Sequence, residues 1–196
     1  MVGVNTNAPF GFQQIGRLEG SPYNAAQAVR KIASGYSTKI HAGDPVQSLA
    51  SGYIGKLAAG TDQIAGIFYG CEYLSTSQKR KVWSPYWPGA DATGDVTAYI
   101  INDPNATFLA QASAAAIGFD AQMANVQFVA GSGNDATGRS TASVLSGSQA
   151  TTSTLPFRVI GFQDPALPGG DIASAYNQII VAFNFQNFKS LDGIHT

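Results

Sequence analysis

The stretch HAGDPVQSLASGYIGKLAAGTDQIAGIFYGCEY, from His41 to Tyr73, limits the fold most tightly: its apolar runs are short and glycines punctuate the intervals between them. VQSL, YIGKLA and IAGIFYGCEY, divided by ASG and AAGTDQ, have the spacing of a meander in a small barrel or sandwich. Gly66 and Gly70 interrupt the third run. A glycine inside a strand marks a bulge, a bend or a close backbone approach, so this strand is expected to curve around a core.

The same texture continues. YSTKIH alternates Tyr36, Thr38 and Ile40 on one face with Ser37, Lys39 and His41 on the other. Further strands are expected at DVTAYII, TFLAQ, VQFVA, ASVL, LPFRVIGF and NQIIVAFNF, with NDPNA as a turn between the first two. In the last run the apolar residues are out of phase, which fits a strand buried on both sides or bulged. No rhythm of strand followed by long helix recurs, which argues against a parallel α/β fold. Residues 36–196 therefore read as one all-β domain, a small antiparallel β-barrel or sandwich.

Residues 1–35 read differently. NAPFGFQQIGRLEGSPYN scatters Phe10, Phe12, Ile15, Leu18 and Tyr23 among Gly and Pro without a sustained period, as an extended N-terminal arm does. A short helix is expected at 22–33, with Ser21 as cap, Pro22 at the first helical position, and Ala25, Val29, Ile32 and Ala33 on one face. The aromatics of the arm either pin it to its own domain or dock on a neighbouring subunit.

Charged residues make up 12% of the chain, about half the usual share. A surface so neutral suits packing against other protein, and equally a monomer clothed in Ser, Thr and Asn. The net charge of −1 carries no footprint for nucleic acid or an anionic membrane. No apolar run approaches the length of a spanning helix, and the opening MVGVNTNAPFGFQQIG lacks the basic and apolar regions of a secretory signal. A soluble or particle-bound protein is expected.

Chemistry is hard to assemble from these residues. The single Cys71 has no disulfide partner, and His41 and His195 are too few for a zinc site. Cys71, inside IFYGCEY, reads as an unreactive buried thiol. A serine–histidine pair around His41 competes with its reading as a solvated strand residue. The aspartates fall mostly beside Gly, Pro or Asn, where the carboxylate bonds its own backbone. GSGNDATG places Gly131 and Gly133 like two glycines of a dinucleotide fingerprint, but the following RSTASVLSGS is poor helix. No catalytic residue, cofactor or metal is expected. The most conspicuous local feature is QKRKVWSPYWPG: a solvated turn leading into a core strand, a protein-contact surface, or a stacking platform for sugar or nucleic acid.

Taken together, APFGFQQIGRLEGSPYN, GDPV, IAGIFYGCEY, NDPNATFLAQ and the closing apolar strands resemble the capsid decoration, or cement, proteins of tailed bacteriophages. GDPV followed by GIFYG is similar to the small-barrel, β-tulip-like members that cap icosahedral shells with an N-terminal arm run out along the shell. The resemblance implies a structural protein on the capsid exterior, made in the host cytoplasm. It implies the major capsid protein as partner and a homo-oligomer, dimer or trimer, with no nucleic acid and no membrane. The contact surfaces it implies are Phe10, Phe12, Arg17 and Leu18 on the arm, Asp44 and Pro45 after the first strand, and Trp83, Tyr86 and Trp87 on the aromatic rim. Two alternatives stay open. One is a head-fibre or receptor-binding protein with Trp83 and Trp87 as glycan platforms; the other is a hydrolase of cell-surface polymer using His41 or a nearby Asp.

Overall fold

The computed structural model describes residues 5–22, 28–58 and 63–190. In chain order the strands are β1 (Gln13–Arg17), β2 (Ala28–Ile32), β3 (Ile40–His41), β4 (Pro45–Ser48), β5 (Ile54–Lys56), β6 (Gly66–Leu74), β7 (Lys81–Ser84), β8 (Tyr86–Trp87), β9 (Val96–Ile101) and β10 (Ala106–Gln111). After a single 3-10 turn at Phe119–Ala121 come β11 (Asn125–Val126), β12 (Phe128–Val129), β13 (Ser143–Val144), β14 (Phe157–Phe162) and β15 (Gln178–Phe183). The fold is all-β and every strand pair is antiparallel.

One sheet runs β1-β10-β15-β14-β11, and the other runs β2-β9-β6-β4-β5 with β7 also on β6. Neither closes on itself, so the arrangement is a sandwich of open sheets rather than a barrel. The long strand β6 has β9 along one edge. Its other edge is shared: the first half takes β4, with Pro45 opposite Ile67, and the second takes β7, with Glu72 opposite Trp83. β12-β13 and β3-β8 form separate two-stranded pairs.

Burial divides at the pleat of β6 and β9. Ile67 and Ile101 turn toward a core shared with Phe12, Phe108, Phe128, Phe157, Val181 and Phe183, while Phe68 and Ile100 turn toward a second core with Ile32, Ile40, Val46, Cys71 and Trp87. A strand that serves two cores cannot alternate apolar and polar residues, which is why IAGIFYGCEY reads as a continuous run. Gly66 sits where a Cβ would come 2.5 Å from the Ile101 carbonyl oxygen. Only glycine lets those two backbones approach so closely.

The N-terminal expectations need correction. Ala28–Ile32, inside the span expected to be helical, is β2, paired with β9 from Ala28↔Ile100 to Ile32↔Val96; residues 23–27 lie outside the described residues. The residues obey period two equally well: Ala28 and Ile32 face the second core while Val29 and Lys31 face out. Tertiary pairing with β9 decides between the two periods. Nor do the described residues before β2 stand apart from the sheets as an arm. β1 is an edge strand of the first sheet, and Phe12 lies within its core, stacked on Phe157 at 4.3 Å.

Candidate functional site

The residues nominated from the sequence fall into two environments. Phe12, Asp44, Pro45 and Trp87 are interior. Trp87 donates its indole N–H to the Tyr36 carbonyl at 2.9 Å and meets Tyr73 edge-on at 5.3 Å. Pro45 opens β4, where its missing N–H costs little. Leu18 and Trp83 are exposed; Phe10, Arg17 and Tyr86 are half-buried. Arg17 is held by Asp103 at 2.8 Å and Glu19 at 3.1 Å.

Asp44 belongs to a buried polar node. The turn from His41 to Asp44 points the carboxylate inward, where Oδ2 accepts the His41 backbone N–H at 2.8 Å and the Lys56 ammonium at 2.8 Å. Oδ1 accepts the Ser140 hydroxyl at 2.6 Å. The His41 ring, expected to be solvated, is fully buried, stacked parallel to Tyr86 at 5.3 Å, with Nε2 2.9 Å from an Asp135 carboxylate oxygen. Hydrogen bonds from Lys39 and then His41 hold the Asp135 carboxyl below the usual carboxylate range. Ser140 donates its hydroxyl to Asp44, and among the described residues no hydrogen bond joins it to the His41 ring. A nucleophile needs the base beside it, with the carboxylate behind the base. This node locks the loop bearing Asp135 and Ser140 onto β3.

Other carboxylates tie turns together or act within their own. Asp91 accepts the hydroxyls of Ser75 at 2.6 Å and Thr76 at 2.8 Å and the Ser77 N–H at 2.9 Å, which together hold its carboxyl far below the ordinary range. Asp103, Asp164 and Asp171 each accept a backbone N–H two residues on. Among the described residues no group of three His, Cys, Asp or Glu side chains could hold a metal. The Cys71 thiol is buried 3.6 Å from the Tyr86 carbonyl oxygen, and burial pushes its pKa up to about 12.

A concave feature lies elsewhere. A cleft of about 430 Å³ opens where the N-terminal segment meets β6 and β7. Its floor is apolar, formed by Phe12, Ile67, Phe68 and Ile101; its rim carries Phe10, Gln13, Gln14, Tyr69, Trp83 and Arg139. The register of β6 against β9 shifts between Phe68 and Gly70, so Tyr69 is the extra residue of a bulge and is turned outward, 43% exposed. Beside it, Trp83 is 54% exposed, and a Cβ on Gly70 would sit 2.8 Å from the indole Cζ2. The indole therefore rests directly on the backbone of β6 with its remaining surface open.

Two polar groups on the rim are unmet. Gln14 Oε1 is buried without a hydrogen-bond donor among the described residues. Arg139 pairs with no carboxylate there. The sequence reading named Phe10 and Trp83 but missed Tyr69, Gln13, Gln14 and Arg139. The glycine after Tyr69 was the available signal, since a strand glycine implies a bulge that re-aims its neighbour. Arg139 had none, because it reaches the cleft from a loop distant in sequence. No family model, no curated protein and no solved structure matches the chain.

Proposed function

We propose that this chain is an accessory structural protein of a phage virion, binding the outside of the lattice built by the major capsid protein and stabilising it as a small homo-oligomer. The supporting observation is the cleft: Phe10 on the N-terminal segment and Trp83 on the aromatic turn, which the family resemblance names on separate contact surfaces, line the same concavity. Exposed Trp, Tyr and Arg around an apolar floor have the composition of an interface hot spot. A protein that binds only the assembled lattice shifts its stability by mass action, and repeated contacts across the shell multiply the effect.

The test is co-sedimentation with shells assembled from the major capsid protein of the source phage. Binding at a fixed stoichiometry, with a raised shell melting temperature and weak dependence on salt, is the expected result. Shells that neither retain the protein nor gain heat stability from it refute the reading. A second reading, a receptor-contacting virion protein, draws on the open indole of Trp83 as a glycan platform. It predicts saturable binding of the isolated protein on a glycan array; the Trp87 half of that platform is withdrawn, since Trp87 is interior.

A further inference from the structure

We infer that the cleft receives an extended segment of a partner polypeptide in which an apolar side chain neighbours a carboxylate. The inference rests on the shell-binding reading for its partner, and on four features of the cleft for its chemistry. The floor of Phe12, Ile67, Phe68 and Ile101 offers no polar side-chain group, so a pyranose lowered onto it would leave hydroxyls unbonded, whereas an apolar side chain gains from the burial. Gln14 lines the cleft and its Oε1, buried and undonated among the described residues, becomes an acceptor for a peptide N–H when the side-chain amide turns outward. Arg139 is a guanidinium without a carboxylate partner among the described residues, on an otherwise uncharged rim, and its complement is an acidic group on the occupant. A volume of about 430 Å³ is toward the small end of the usual range for ligand sites, suited to one large side chain with its flanking backbone rather than to a folded surface.

The platform is built in advance. Trp83 cannot settle further onto β6, because it already lies against Gly70, and the bulge fixes the direction of Tyr69. Preorganised aromatic groups lose little freedom when an occupant arrives.

The experiment is an NMR titration of the ¹⁵N-labelled full chain with the tetrapeptide acetyl-Ala-Leu-Asp-Ala-amide. Shifts are expected at the Trp83 indole, the Gln14 side-chain amide and the backbone of Tyr69 and Arg139. Exchanging the peptide leucine for alanine should weaken binding about tenfold. Exchanging its aspartate for asparagine should weaken it roughly two- to fivefold. Arg139→Gln should abolish the second preference and keep the first; its exposed side chain makes no hydrogen bond or ion pair among the described residues, so this variant should stay folded. Equal binding of the aspartate and asparagine peptides, shifts centred elsewhere, no binding at millimolar peptide, or tighter binding of a uronic-acid disaccharide overturns the inference, the last in favour of an acidic glycan. Shells separate the two levels. If Arg139→Gln and Trp83→Ala pellet with shells as well as the parent does, the cleft inference falls and shell binding stands; if the peptide binds and shells do not, only the shell reading falls.

Discussion

Replacing Lys56 by methionine tests whether Asp44 is a structural clamp or a contact residue. The substitution keeps most of the aliphatic stem and removes the ammonium 2.8 Å from a carboxylate that is 0% exposed. What remains to Asp44 is two neutral donors, the His41 N–H at 2.8 Å and the Ser140 hydroxyl at 2.6 Å. Breaking a buried ion pair by removing one partner costs about 3–5 kcal/mol, because the other charge is left uncompensated in a medium that solvates it poorly. For a chain of this size each kcal/mol lowers Tm by roughly 2–4 °C, so Lys56→Met should melt roughly 6–20 °C below the parent. The double variant Asp44→Asn/Lys56→Met removes the stranded charge and should recover much of that loss. Thermal melts by circular dichroism, paired with urea titrations, measure both. A Lys56→Met loss under about 1 kcal/mol, or a double variant no more stable than the single, refutes the argument. A contact role for Asp44 requires the opposite pattern for Asp44→Asn: unchanged stability and lost shell binding.

Three further outcomes follow from the same geometry. Phe12→Ala should cost about 3–5 kcal/mol by urea titration, because the ring stacks on Phe157 at 4.3 Å in the main core, and deleting residues 1–20 should unfold the domain rather than release it from an arm. Gly70→Ala should cost about 1–3 kcal/mol and shift the Trp83 emission, whereas Gly161→Ala, whose new methyl meets nothing nearer than 3.8 Å, should be close to neutral; equal effects at both sites defeat the platform account. Burial raises the Cys71 thiol from 9.0 to about 12 and the Tyr73 phenol from 10.0 to about 12, so below pH 9 both groups are protonated folded and unfolded, and the stability they contribute is fully present. Above that the unfolded chain loses its protons first, stability should fall by up to about 1.4 kcal/mol per pH unit per group, and Cys71→Ala should delay the onset toward pH 10 in a denaturation series; an unchanged onset counts against the buried thiol.

Most of the second half of the fold was legible because its strands pair with neighbours of ordinary character. DVTAYII, TFLAQ, LPFRVIGF and NQIIVAFNF all contain the strands expected of them, and NDPNA turns between β9 and β10 with Asp103 accepting the Asn105 N–H. The N-terminal segments were misread for one physical reason: their partners are remote. β1 is a strand only because β10, some ninety residues later, lies beside it, and β2 only because of β9. A local period cannot report a partner that distant. His41 failed similarly, since YSTKIH alternates as though half-solvated while the loop carrying Asp135 and Ser140 closes over its end.

The bulges explain what was legible in the cleft and what was not. The register shifts of the two sheets fall between Gln14 and Gly16, Phe68 and Gly70, and Val159 and Gly161, so each ends on a glycine and leaves the residue before it unpaired: Ile15 and Tyr69, which are exposed, and Ile160, which is half-buried. A strand glycine therefore announced where alternation would fail, and at Tyr69 it announced an outward aromatic. It did not announce which of the three would matter. That depends on what lies over the glycine: a Cβ at Gly16 would have the Thr107 hydroxyl 3.4 Å away and one at Gly161 would have Ile180 at 3.8 Å, both ordinary contacts, but a Cβ at Gly70 would press on the Trp83 indole at 2.8 Å and displace it. The bulge aims Tyr69, the missing Cβ seats Trp83, and the crossing of β1 and the loop of Arg139 supplies the polar rim. Only the first of these is written in consecutive residues. The cleft comes into existence when the two sheets pack, which is why its aromatics could be suspected from the chain and its polar partners could not.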